Sequence, residues 1–102
     1  MDVFEIVITS KAQSDLAECV GFVLNVSKEA AHAFANDIYS SIESLRVFPE
    51  RNAVFETSKT LHFTVRKLII NKRYVAFYAV KDGKVVVYRI LDSRRKLESL
   101  VL

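Results

Sequence analysis

The spacing of apolar residues predicts one strand and then two helices in the first half of the chain. Residues 3–9 are β-branched and apolar over a length typical of a strand. Ser10 and Gln13 then fit a capping box. Two apolar stripes follow at helical spacing: Ala12, Leu16, Cys19, Val20 and Val23, then Ala31, Phe34, Ile38, Ile42 and Leu45. Ser27 is the predicted cap of the second helix and Pro49 its end, so the short connection predicts an antiparallel helical hairpin.

The second half of the chain is dominated by predicted strands, at residues 61–70, 74–80 and 85–91. Asp82-Gly83 between the last two is a strong signal for a type I′ hairpin turn. A short final helix would carry Leu97, Leu100 and Val101 on one face. The order β-α-α-β-β-β-α predicts an α+β fold in a single domain over residues 1–102, with the helical hairpin packed on a small, mainly antiparallel sheet.

Both faces of this predicted sheet are apolar. A two-residue turn places Val80 opposite Val85, Tyr78 opposite Val87 and Ala76 opposite Arg89. The other face carries Val75, Phe77 and Ala79 with Val86, Tyr88 and Ile90. One helical hairpin covers only one face, so either the final helix covers the second or an apolar groove stays open for a partner. The pattern does not say which face the helices take.

Composition limits the class of protein. A chain of 102 residues that is 51% hydrophobic and 26% charged is typical of one globular domain. Its single cysteine, Cys19, excludes a disulfide within the chain and favours a reducing compartment. No apolar run approaches the ~18 residues of a membrane span, and the N-terminus lacks the basic start of a signal peptide. We therefore expect a cytoplasmic protein with no membrane association.

Charge divides the chain into two unlike halves. Residues 1–56 have four basic and nine acidic residues, whereas residues 57–102 have eleven basic and three acidic ones. The second half, with a balance of +8, favours a positive surface for an anionic partner. The alternative is that these cations only make a β-rich half soluble.

A basic cluster, Arg94-Arg95-Lys96, follows Asp92-Ser93 and opens the predicted final helix. Cations at a helix N-terminus oppose the helix dipole, which favours a functional reason for them. Helix amides and arginines together bind anions, and Arg89, Arg66 and Lys67 could extend the site toward a phosphate backbone or acidic side chains. The alternative is an unformed helix with solvated arginines.

Other candidate chemistry is weak. His62 is a potential general base on a predicted strand, although a histidine in that position is more often a bystander. The sequence has no metal-ligand spacing, phosphate loop or nucleophile motif, so we expect neither a metal nor a cofactor.

Several of these residues, in this order, resemble the RelE/ParE toxin pattern over nearly the whole chain. The matching pieces are Ile8-Thr9-Ser10, Ala12, Asp15-Leu16, Leu45, Phe48-Pro49, Arg66, Leu68, Tyr74-Val75, Phe77-Tyr78 and the run from Tyr88 to Arg95. The resemblance implies the toxin of a type II toxin–antitoxin (plasmid stabilisation) module, which inhibits growth and is neutralised by a cognate antitoxin. It leaves open whether the toxin forms a homodimer.

The resemblance implies two mechanisms. RelE-like toxins cut messenger RNA on the ribosome without a metal, whereas ParE-like toxins inhibit DNA gyrase. Arg66 and Arg95 match two basic positions and are the candidate catalytic residues. Val75 and Val101 stand where a basic residue and a tyrosine are expected, and each such loss can lower the rate about a hundredfold. We therefore favour gyrase inhibition over the ribosome-bound nuclease or a non-toxic RNA- or protein-binding relative. The expected target- or antitoxin-binding residues are Arg66, Lys67, Arg89, Arg94, Arg95, Lys96, Val75 and Phe77.

Overall fold

The computed structural model describes residues 3–55 and 63–94, which form two helices packed on a four-stranded mixed sheet. The elements are β1 (Glu5–Ile8), α1 (Ser10–Leu24), α2 (Lys28–Glu43), β2 (Arg66–Ile70), β3 (Tyr74–Lys81) and β4 (Lys84–Asp92). The strand order is β1-β4-β3-β2. β1 runs parallel to β4 and the other pairs are antiparallel. The predicted α+β class is confirmed, and the predicted final helix lies outside the described residues.

The two helices begin at side-chain caps. Ser27 caps α2 as predicted, since its hydroxyl accepts a hydrogen bond from the amide of Ala30. The cap of α1 is Thr9 rather than Ser10, because the Thr9 hydroxyl accepts from the amide of Ala12. The side chain of Gln13 donates to the carbonyl of Ile8 rather than closing a capping box. The prediction was therefore wrong by one residue at α1.

The segment after α2 is held by one arginine. α2 ends at Glu43, and two short 3₁₀ turns follow, Ser44–Arg46 and Pro49–Arg51. The guanidinium of Arg51 donates to the carbonyls of Ser44, Val47 and Phe48. Ser44 and Val47 are the C-caps of α2 and of the first 3₁₀ turn, where a cation is electrostatically favoured. Phe48 adopts the left-handed backbone region, with φ of 51°.

The helical hairpin covers the sheet face that carries Tyr74, Ala76 and Tyr78. The sequence pattern did not predict which of the two faces the helices would cover. Facing residues form one core, with Ala12, Leu16, Phe34, Ile38, Ile42 and Leu45 from the helical side and Ile70, Val85, Val87 and Ile90 from the sheet. Each large aliphatic side chain buried there stabilises the fold by about 1.5–3 kcal/mol. The core therefore fixes α1 and α2 firmly on this face.

A β-bulge in β4 changes the predicted register. Val80 pairs with Val85 and Tyr78 with Val87, as predicted, but Phe77 then pairs with Arg89 and Tyr88 is left as the extra residue. Ala76 consequently lies opposite Ile90, not Arg89. Because a bulge sets two residues against one, every later side chain changes face. Ile90 therefore joins the helix-covered core and Leu91 takes the second face.

The second sheet face is partly covered by residues 53–55, for which the sequence pattern predicted no contact with the sheet. β2 begins at Arg66, so residues 63–65 are not strand, against the prediction. Residues 53–55 instead lie beside residues 65–67, and the Phe55 amide donates a hydrogen bond to the Val65 carbonyl at 2.8 Å. Phe55 and Val65 pack with three residues of this face: Val75, Phe77 and Leu91.

Candidate functional site

The turn between β2 and β3 meets the end of β4 and gathers cations there. Asn71 and Lys72 both have positive φ, which makes the turn tight. The Ser93 amide donates to the Arg73 carbonyl at 2.6 Å. Arg73 is thereby brought beside Arg94, because both guanidinium groups donate to Asp92, and we call these two residues the cationic corner. Of the two, only Arg94 was predicted from the sequence.

Asp92 organises the corner. Its carboxylate accepts from the Arg94 amide at 2.9 Å, from Arg94 Nη2 at 2.8 Å and from Arg73 Nε at 3.3 Å. These hydrogen bonds hold the pKa of Asp92 well below its usual range. The side chain of Arg94 has the largest effect, its amide the next largest, and Arg73 contributes as well. The same contact raises the pKa of Arg94. The acceptance from the Arg94 amide is the contact that a helix N-cap makes, although the helix predicted to follow lies outside the described residues.

The cations of the corner remain accessible to a ligand. The side chains of Arg73 and Arg94 are 53% and 69% exposed. Arg73 also lies over the ring of Tyr74, with its guanidinium carbon 5.6 Å from the centroid. Arg73 uses only Nε toward Asp92, and its terminal nitrogens have no hydrogen-bond partner within the described part of the chain. Two guanidinium groups that converge on one carboxylate can also bind a carboxylate or phosphate from outside.

A cleft of about 360 Å³ opens beside the corner, between α1 and β4. Its apolar lining includes Cys19, Phe22 and Leu91, and its rim includes Arg73 and Arg94. Phe22 is 68% exposed although it is aromatic. An apolar hollow with a charged rim is the usual form of a binding site for a side chain or small ligand.

Asp15, which lines this cleft, forms a buried ion pair with Arg89. Arg89 Nε donates to Asp15 Oδ2 at 2.7 Å and Arg89 Nη2 to Oδ1 at 3.0 Å. The Ile90 amide also donates to Asp15, at 3.0 Å. The hydrogen bond to Asp15 raises the pKa of Arg89. Arg89 thus anchors α1 to β4, and the corner does not include it.

The strand cations of the predicted anion site lie elsewhere. Arg66 lies opposite Tyr78 near the other end of β3, where its Nη1 donates to the Asn52 carbonyl at 2.7 Å and Nη2 lies 3.9 Å from Glu50. Lys67 lies on the second face, opposite Phe77. The predicted cluster is therefore divided, and a binding role for Arg66, Lys67 and Arg89 stays a prediction.

The apolar residues predicted to meet a partner are both buried. Val75 and Phe77 lie on the second face as expected, but only 4% and 0% of their surface is exposed. Exposed apolar residues nearby are Phe63 and Ile69. Contact of Val75 and Phe77 with a partner stays a prediction, as do the roles of Arg95, Lys96 and His62, which lie outside the described residues.

Two residues, Arg73 of the corner and Asp15 beside it, were given no role by the sequence pattern, for different reasons. Asp15 had a signal, because a carboxylate at helical spacing between Ala12 and Cys19 interrupts an apolar stripe. Arg73 had none, because its position depends on the pairing of β2, β3 and β4. In residues 3–55 and 63–94 no three His, Cys, Asp or Glu side chains are grouped to hold a metal ion. The helices described there are too short or too polar to cross a membrane.

The sequence and the fold of the chain are similar to those of known toxins. The family model described as ParE toxin of type II toxin–antitoxin system, parDE, matches residues 6–97. Toxin RelE2 of Caulobacter vibrioides is 30% identical over 91 residues, which are 89% of this chain and 97% of that protein. A solved chain of the chromosomal ParDE TA system from P. aeruginosa has a TM-score of 0.71 at 22% identity and covers 88% of this chain and 96% of its own. The similarity to this solved structure shows the fold alone.

Proposed function

This chain belongs to the ParE toxin family of type II toxin–antitoxin systems, and from that premise we propose that it arrests growth by binding DNA gyrase. A toxin of this kind has a cognate antitoxin. Both the target and the antitoxin are expected in the cytoplasm, where the proposed action takes place.

Gyrase is favoured over messenger RNA as the target because Arg66 of β2 and Arg89 of β4 both bind other residues of this chain. Arg66 donates to the Asn52 carbonyl and Arg89 is paired with buried Asp15. A sheet that cleaves RNA without a metal needs cations directed at the phosphate, where they stabilise the developing charge. The position after Tyr74 is Val75, which is buried. The exposed arginines of the cationic corner, Arg73 and Arg94, instead suit binding of an acidic protein surface.

The alternative is a ribosome-dependent endoribonuclease, which a second hollow favours. This hollow, of about 520 Å³, is lined by Glu50, Arg66, Lys81 and Tyr88 among others. These residues offer a carboxylate, two cations and a phenol, which are groups capable of proton transfer and charge stabilisation. This surface is remote from the corner, so variants can separate the two functions.

Two assays on the purified protein test the proposal. We expect the protein to block supercoiling by purified gyrase and to leave messenger RNA on ribosomes intact. Arg94→Glu should relieve the inhibition of gyrase, whereas Tyr88→Phe, in the second hollow, should retain it. Cleavage of ribosome-bound messenger RNA that Tyr88→Phe abolishes, with unimpaired gyrase, would instead establish the nuclease. Harmless overexpression with neither activity would indicate a non-toxic relative.

A further inference from the structure

We propose that the cationic corner and the neighbouring α1–β4 cleft together bind one short segment of the antitoxin. An apolar side chain of that segment enters the cleft against Phe22, and an adjacent carboxylate binds Arg73 and Arg94. The inference rests on the proposed function, because it requires a cognate antitoxin. It adds Arg73 and Phe22 to the residues predicted to contact a partner.

The cleft is built for an apolar group. Its lining joins Cys19 and Phe22 of α1 to Ile90 and Leu91 of β4 and to Tyr74 of β3. Phe22 leaves two thirds of its surface to solvent although it lies on a rigid helix. Exposed aromatic side chains beside a hollow are the usual anchors of protein interfaces. The cleft, at about 360 Å³, has room for a side chain of leucine or phenylalanine size.

The corner is built for a carboxylate. Asp92 shows the required geometry, since its oxygens already accept from Arg94 and Arg73 at 2.8 and 3.3 Å. The terminal nitrogens of Arg73 and the Nη1 of Arg94 make no hydrogen bond within the described part of the chain. A second carboxylate can therefore bind beside Asp92 without displacing it.

The charges around the cleft favour a peptide over a nucleic acid. Three carboxylates line the same cleft, from Asp15, Glu18 and Asp92. A phosphate backbone presents a continuous row of negative charge and would be repelled by Glu18 across the cleft from the arginines. A peptide needs to place only one carboxylate at the corner and fills the remaining space with an apolar side chain. The ligand is therefore an acidic and apolar protein segment.

A tryptophan reporter tests occupation of the cleft. The chain has no tryptophan, so Phe22→Trp supplies its only indole. The matched control is Phe48→Trp, because Phe48 is 70% exposed and lies after α2, outside the cleft lining. The probe is the purified protein encoded beside this chain, with any tryptophan of its own replaced. We expect a shift of emission to shorter wavelength on binding for Phe22→Trp and no shift for Phe48→Trp.

Charge variants test the corner. Arg73→Gln with Arg94→Gln should weaken binding of the antitoxin about a hundredfold or more, since two charge-assisted contacts are lost. The affinity should also depend less on salt. The matched control is Lys28→Gln with Lys84→Gln, which removes the same charge from residues outside the α1–β4 cleft and the second hollow. We expect the control to change the dissociation constant less than about threefold, as rim charges do.

The outcomes separate this inference from the proposed function. Unchanged affinity in the Arg73 and Arg94 variant, or no emission shift for Phe22→Trp in a complex that forms, would overturn the inference and leave the toxin intact. A wild-type chain that neither arrests growth nor binds the antitoxin would overturn the proposed function itself. An emission shift produced by a single-stranded oligonucleotide, or by raising the concentration of this chain alone, would assign the cleft to nucleic acid or to a second copy instead.

Discussion

Asp15 and Arg89, 74 residues apart in the chain, form a two-pronged ion pair that joins α1 to β4. The pair lies where β1 has ended, so β4 has no strand neighbour on that side. Asp15 takes the place of the missing strand by accepting the amide of Ile90 at 3.0 Å. The side chains are only 10% and 13% exposed. One carboxylate therefore joins α1 to the two residues of β4 that follow the bulge at Tyr88.

Removing Asp15 should destabilise the protein strongly. Asp15→Ala removes the carboxylate that accepts from the Arg89 guanidinium and from the Ile90 amide in a nearly buried site. Breaking such a pair by deleting one partner costs about 3–5 kcal/mol. Urea denaturation followed by circular dichroism measures the loss as a lower midpoint at unchanged slope. Glu18→Ala, on the exposed side of the same helix, is the control, and an equal midpoint for both variants would contradict the structural role of Asp15.

The sequence pattern predicted most of the fold because periodicity depends on local burial. Both helices, three later strands and the Asp82-Gly83 turn with positive φ at both residues were predicted correctly. The bulge was not, because no residue of β4 marks it. Its consequence is large, since Ile90 and Leu91 exchange faces. The start of β2 was placed five residues early because apolar Leu61 and Phe63 continue the strand pattern.

The candidate site was predictable only in part. Arg94 was identified by its unfavourable position near a predicted helix start, which is a local signal. Arg73 is part of the site because the turn at residues 71–73 packs against Ser93, a contact between residues 20 apart. Conversely, the sequence suggested that Arg66 and Arg89 were available to bind an anion. In the structure they bind Asn52 and Asp15, which lie far from them in the chain. Pairing of this kind has no local pattern.

The hydroxyl of Tyr78 should contribute measurably to stability. It donates to the Pro49 carbonyl at 2.6 Å and accepts from the Asn52 side chain at 3.1 Å, which ties the segment after α2 to the sheet. Tyr78→Phe leaves both partners unsatisfied and should lower the free energy of unfolding by about 1–3 kcal/mol. Tyr39→Phe, at an exposed position, should change it little. Equal stability of the two variants would show that the hydrogen bonds are dispensable.

Alkaline pH offers a second measurement on the same residue. Burial raises the pKa of Tyr78 above its ordinary value of 10.0. The unfolded chain therefore loses this proton first, so the contribution of Tyr78 is fully present at neutral pH and is lost as pH rises above 10. The difference in unfolding midpoint between the wild type and Tyr78→Phe should shrink over that range. A constant difference from pH 8 to 11 would contradict the raised pKa.

Acid should weaken the cationic corner. The pKa of Asp92 lies well below its ordinary value of 3.8, chiefly because of Arg94. The contribution of Asp92 is fully present above that value and declines as pH falls below it, because the unfolded chain takes up the proton first. Asp92→Asn should therefore lower stability at pH 7, by about 1 kcal/mol for a partly exposed pair, and cost less at pH 2.5. Asp82→Asn, in the turn at the other end of β4, is the control and should show no such pH dependence.

Charge reversal at Arg94 and Arg95 should separate folding from growth arrest. Arg94 is 69% exposed, so its ion pair contributes little to stability. The melting temperature of Arg94→Glu with Arg95→Glu should accordingly fall by roughly 5 °C at most in a domain of this size. Growth arrest after induction should be lost, because repulsion replaces charge-assisted contacts with an acidic target.

Changing both residues to Lys should give a partial defect, since the charge remains but the planar fork is lost. The control is Lys28→Glu with Lys84→Glu, which makes the same change in net charge outside the α1–β4 cleft and the second hollow and should still arrest growth. Full arrest by the folded Arg94 and Arg95 variant would remove this cluster from the target-binding surface. Loss of arrest together with a melting temperature far below the control would instead identify the two arginines as structural residues.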